Sequence, residues 1–159
     1  MRLNLRFGTS LAEWLFWSTR IVDHEGGAHA MILFYAAEKN RAVESLEKVL
    51  AEQLPAQRVT YCTTMETFER RLRRPRQGIK IVLVSVCDAI EMMQLYHLRP
   101  LLLDMRLLLI LPTREADTVA WAHKLGPRFI AYADNSIRQV ADVLDKMLSR
   151  VPAYDAQAE

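Results

Sequence analysis

Nine residues, Lys80 to Asp88 (KIVLVSVCD), constrain this chain more than any others. Ile81, Val82, Leu83 and Val84 run unbroken and Val86 follows. So short an apolar run, bounded by charge, reads as a strand buried on both faces. Such a strand needs a helical layer on each side, and segments of strand and helix character alternate before and after it. Its carboxyl end, where an open α/β sheet carries its chemistry, presents Ser85 with Asp88 beyond.

The alternation starts at Ala30. Strands are expected at Met31–Ala36, Arg58–Cys62, Lys80–Asp88, Arg106–Leu111 and Arg128–Ala133. The first helix runs from about Lys39 to Leu54, with Ala42, Val43, Leu46, Val49, Leu50 and Leu54 on one face, and Pro55 closes it. Thr63 or Thr64 caps the second, in which Met65, Phe68 and Leu72 face inward. Asp88 is the N-cap of a third that ends near His97, and Leu101 to Leu103 add one turn after Pro100. A fourth helix, with Ala116 and Val119 inward, runs to Lys124 and is stopped by Gly126-Pro127. The last, capped by Asn135 or Ser136, buries Ile137, Val140, Leu144, Met147 and Leu148. The predicted class is α/β: a three-layer, doubly wound, five-stranded parallel sheet with right-handed crossovers.

Three parts follow: an extension over 1–29, the α/β domain over 30–151 and a polar tail over 152–159. In the extension, Leu3, Leu5 and Phe7 alternate as in a short strand. Ser10 and Glu13 then form a capping box for a helix carrying Trp14, Phe16 and Trp17 nearly all round. A strand and helix tethered through Gly26-Gly27 suit exchange between protomers, so a homodimer is expected, with Trp14 and Trp17 as contact residues. The chain of 159 residues is 51% apolar with net charge +2, enough for one core and too mildly basic to imply nucleic acid. Cys62 and Cys87 lie in or beside apolar segments without metal spacing, and the four histidines form no i, i+4 pair. No stretch approaches the ~18 apolar residues of a membrane span. The expected setting is the cytoplasm.

From Met31 to Val151 the order and length of these elements resemble the receiver domain of bacterial response regulators. The resemblance implies strand order 2-1-3-4-5 and locates five signature positions. In ILFYAAEKNR the acidic pair falls on Ala36 and Ala37, and the third acid on Glu38. The phospho-accepting aspartate at the end of IVLVSV falls on Ser85. The hydroxyl residue after strand four matches Pro112 or Thr113, depending on a one-residue gap, and the lysine ending strand five falls on Tyr132. Receiver phosphorylation needs an aspartate nucleophile, Mg²⁺ held by carboxylates and a lysine to stabilise charge. Alanines offer the metal no side-chain oxygen. The resemblance therefore implies a non-enzymatic pseudo-receiver that binds a protein partner or itself, independently of phosphorylation. In receivers the fourth helix, fifth strand and fifth helix form the usual partner face, which implies Trp121 and Tyr132 as interface residues.

Two other readings stay open. One is a response regulator phosphorylated at an atypical acid, Asp88 or Glu38, although Asp88 already suits an N-cap. The other is binding of an anionic polymer by Arg70, Arg71, Arg73, Arg74, Arg76 and Lys80, six cations in eleven residues. Glu66 and Glu69 stand four residues before Arg70 and Arg73, so a solvated, ion-paired helix end explains the same pattern, and no aromatics interleave to stack on bases. No cofactor is implied, since the AAEKN loop lacks the glycines of a phosphate cradle.

Overall fold

The computed structural model describes residues 32–54, 58–74, 79–134 and 137–150. The expected extension with Trp14 and Trp17, together with Arg76, the caps Asn135 and Ser136 and the tail, lies outside the described residues. In chain order the elements are β1 (Ile32–Ala36), α1 (Arg41–Gln53), β2 (Val59–Cys62), α2 (Met65–Arg73), β3 (Ile81–Ser85) and α3 (Ala89–His97). There follow α4 (Arg99–Leu102), β4 (Arg106–Leu111), α5 (Ala116–Lys124), β5 (Phe129–Tyr132) and α6 (Ile137–Ser149).

All five strands are parallel in the order β2-β1-β3-β4-β5. Every residue of β3 is buried. Ile81 and Leu83 join Ile32, Phe34, Leu108 and Ile110 beneath α1 and α6, where Leu46, Leu50, Val140 and Leu144 complete one core layer. Val82 and Val84 face the other way, with Leu33, Tyr35, Leu107 and Leu109, against Phe68 and Leu72 of α2 and Met92 and Leu95 of α3. Side chains that alternate across a strand thus build two cores on one sheet.

The helix starts follow from their caps. The side-chain oxygens of Asn40, Thr64 and Asp88 accept the backbone N–H three residues on, which satisfies a donor the first turn leaves unpaired. The single turn α4 starts two residues before the expected one, because Pro100 fits a helix start, where no N–H is needed. Behind α5, Gly126 takes φ 66°, a left-handed conformation suited to glycine, and its N–H reaches the carbonyl of His123. The inward face of α5 differs from expectation: Ala122 is buried, Val119 half-buried and Ala116 exposed. Three alanines in nine residues leave its apolar stripe ambiguous in sequence.

A Leu83→Ala substitution empties a fully buried site between two layers and should lower unfolding free energy by about 2–5 kcal/mol in urea titration. Leu103→Ala, at a side chain 66% exposed, should change it by less than about 0.5 kcal/mol.

Candidate functional site

The carboxyl ends of the strands gather the signature positions. Ala36 of β1 is the register partner of Ser85, and Ile110 of β4 flanks Ser85 on the other side. Ser85 is 5% exposed, and alternation along β3 puts it on the face of Ile81 and Leu83, beneath α1 and α6. Ala37 and Glu38 stand exposed in the loop after β1. Thr113, exposed in the loop after β4, accepts a long 3.5 Å contact from the Glu115 N–H, and Tyr132 ends β5 half-buried. Ala36 and Ser85 are therefore side by side, with no carboxylate in either position.

A carboxylate that the sequence reading missed lies on the opposite face. Glu91, in the first turn of α3, is 5% exposed. Its Oε1 accepts the Tyr35 hydroxyl at 2.5 Å and its Oε2 accepts the Cys87 N–H at 2.6 Å. The Glu91 N–H donates to Asp88 Oδ1 at 2.8 Å. The Asp88-x-x-Glu91 pattern is a variant of the capping box: the third helical residue reaches back past the cap to the N–H before it. Tyr35 points to the same side as Leu33, with its ring 5.1 Å from that of Phe68, and brings its hydroxyl beneath the start of α3. The signal was the D-x-x-E spacing, which marks a helix start without saying whether its acid is buried. Among the described residues, no buried side-chain polar atom lacks a hydrogen-bond partner.

This arrangement holds protons tightly. Burial, then the bond to Glu91, drives the Tyr35 hydroxyl well above its usual range. Burial, the Glu91 hydrogen bond and the nearby negative charges of Glu91, Asp88 and Glu38 push the Cys87 thiol from 9.0 up to about 12. Cys62, buried, rises to about 11 despite Arg71, and Tyr61 rises to about 12 through burial and Glu47.

On the far side of the strand ends, the Arg114 guanidinium lies 4.1 Å over the Tyr132 ring and 3.3 Å from Asp134 Oδ1. A cation from the β4–α5 loop thus covers the end of β5, where the resemblance expects a lysine. Trp121 is 37% exposed and meets Tyr96 of α3 edge-on at 5.5 Å, with Lys124 Nζ 3.9 Å from its centroid. On α2, Arg70 pairs with Glu66 at 3.2 Å and Arg73 with Glu69 at 2.7 Å, while Arg71 is half-buried and Arg74 exposed. Among the described residues, no three His, Cys, Asp or Glu side chains come together as a metal site.

No family model matches this chain, and no curated protein does. Among solved structures it is similar to a CheY-like response regulator receiver domain from Methanospirillum hungatei JF-1. The TM-score is 0.59 at 12% identity, over 74% of this chain and 92% of that one. It is also similar to a pilus assembly protein from Burkholderia thailandensis E264, with TM-score 0.58 at 18% identity over 75% and 98% of the two chains. A pilus assembly-related protein from Burkholderia pseudomallei K96243 superposes with TM-score 0.57 at 16% identity, over 78% and 93%. The chain has the receiver-domain fold, and at these identities the likeness speaks to the fold alone.

Two outcomes test the network. Tyr35→Phe leaves the buried Glu91 carboxylate short of one donor and should lower unfolding free energy by about 1.5–3 kcal/mol in urea titration. The raised groups also set an alkaline limit. An unfolded chain releases thiol and phenol protons near 9.0 and 10.0, before the folded one does, so it binds fewer protons there and stability falls as pH rises. Urea midpoints should hold up to about pH 8.5 and decline through pH 11, less steeply in Cys87→Ser.

Proposed function

We propose that this chain is a receiver-fold signalling module that works through protein–protein contacts and is not switched by aspartyl phosphorylation. The observation that carries this reading is the pairing of Ala36 with Ser85 at the strand ends, while the buried carboxylate, Glu91, lies on the opposite face of the sheet. A serine hydroxyl without a neighbouring base or cation is a weak phosphoryl acceptor. The residues at the signature positions do not fit Mg²⁺: Ala36 and Ala37 supply no side-chain oxygen, and Glu38 is a single exposed carboxylate. Asp88 is engaged as the cap of α3.

The partner is a protein or a second copy of the chain, met in the cytoplasm. Residues 30–151 are the working unit, and 1–29 form an arm that adds contact area through Trp14 and Trp17. Two of the similar solved structures are pilus assembly proteins by description, which makes components of such assemblies sensible baits. The basic segment of α2 is the weaker candidate surface, since Glu66 and Glu69 already neutralise Arg70 and Arg73.

Incubation with acetyl phosphate and Mg²⁺, followed by intact mass measurement, should leave the mass unchanged. A stoichiometric phosphoryl gain that disappears in Asp88→Asn would overturn the reading.

A further inference from the structure

The outer side of α3 carries Ile90, Met93, Gln94 and His97 at i, i+3, i+4 and i+7, one exposed stripe along the helix. Ile90 is 69% exposed and Met93 51%. Single exposed apolar residues are ordinary, but a helix whose outer side holds no Asp, Glu, Lys or Arg is not. The one acid within α3, Glu91, is buried against Tyr35 and the Cys87 N–H. On α1, α2, α5 and α6 the exposed sides carry both acids and bases, as Glu44 and Lys48 do on α1. Among these five helices, α3 alone has a face whose covering desolvates no charge.

We propose that the arm over residues 1–29 docks on this face of its own chain, laying the apolar stripe of residues 10–22, with Leu11, Trp14, Leu15 and Val22, along Ile90 and Met93. The inference goes beyond the contact-module reading, because the docking is internal and needs neither a partner nor a phosphoryl donor. The place where the described chain begins supports it. Ile32 opens β1 at the amino ends of the strands, beside Ile81, whose other register partner is Arg106 at the start of β4. α3 leads away from the carboxyl end of β3 and finishes towards that same amino end, with only the single turn α4 before β4. The outer side of α3 is two packed layers from Ile32, about 20 Å. The nine residues 23–31 can span up to about 30 Å. A site within reach of its own tether competes at an effective concentration of about mM, above that of a second chain in dilute solution. The chemistry matches as well. At helical spacing Leu11, Trp14, Leu15, Ile21 and Val22 share one side, while Glu13 and Arg20 fall on the other with Phe16. Docking on α3 therefore sets apolar against apolar and leaves both charges in water, with Phe16 and Trp17 off the docked side, where a partner can reach them.

The test reads both sides of the contact in the full chain. With Trp17→Phe and Trp121→Phe, Trp14 is the one indole left, and its emission should be blue-shifted and shielded from acrylamide. A carboxylate set into the contact finds no partner there, so Ile90→Glu or Met93→Glu should lower the ratio of docked to released arm at least about tenfold, read as a red shift and steeper quenching. Lys48→Glu, on the outer side of α1, should change neither. Read from the other side, the Met93 thioether should resist hydrogen peroxide in the native chain and oxidise faster in Leu15→Glu, which alters the arm and leaves the α/β domain untouched. This second measurement stands even where an α3 variant fails to fold. Shielding of Trp14 should not change on dilution, as an internal contact requires. A Trp14 as open to acrylamide in the native chain as in urea would overturn the proposal. So would shielding indifferent to both α3 variants, or Met93 oxidation indifferent to Leu15→Glu, either of which would put the arm elsewhere. Shielding lost on dilution would overturn it by assigning the arm to a second chain.

Discussion

Burial of β3 on both faces is the constraint from which the rest of the molecule follows. Five consecutive buried residues, Ile81 to Ser85, remove any solvated side of the sheet at its centre. Helices must then cover both faces. Fully burying a large aliphatic side chain is worth about 1.5–3 kcal/mol, and each of the two layers converging on β3 contains a dozen or so such side chains. Polar chemistry is excluded from the middle of the sheet and confined to its ends. That confinement gives the last residue of each strand its interest, and makes an alanine or a serine there informative.

Alternation along the strands then separates two kinds of polar residue that sequence places close together. Ser85 and Glu91 are six positions apart, yet one belongs to the α1–α6 side and the other to the α3 side. The buried carboxylate serves the architecture. It ties the β1 hydroxyl of Tyr35 to the start of α3 and satisfies the Cys87 N–H where β3 leaves the sheet. Hydrogen bonds to a charged group are worth about 1.5–3 kcal/mol each, so this junction is among the firmest polar links in the structure.

Much of the fold was legible because hydrophobic period and chain punctuation agreed. β4 spans the expected Arg106–Leu111, and Asp88 caps α3 through its own side chain. Local patterns failed where a long-range contact decided the outcome. Nothing in IVLVSVCDAIE tells a solvated Glu91 from a buried one, because its partner Tyr35 is 56 positions away. The position of Arg114 over Tyr132 was hidden for the same reason, the two meeting only when β4 and β5 pair. In α5 the difficulty was different: alanines at 116, 120 and 122 carry little directional information, and packing chose Ala122.

The magnitudes also rank the helices by how firmly they are held. α3 is fixed by an Asp cap, a buried charged junction and the side chains of Met92 and Leu95. α5 has no side-chain cap, and within its span Ala122 alone is fully buried. The Arg114 contacts just before it are exposed. They amount to a surface ion pair worth about 0–1 kcal/mol and a cation–π contact worth about 0.5–1 kcal/mol. Little apolar burial and few strong polar ties give a low local opening free energy. Of these two helices α5, which presents Trp121, is therefore the one whose position can shift at lower cost.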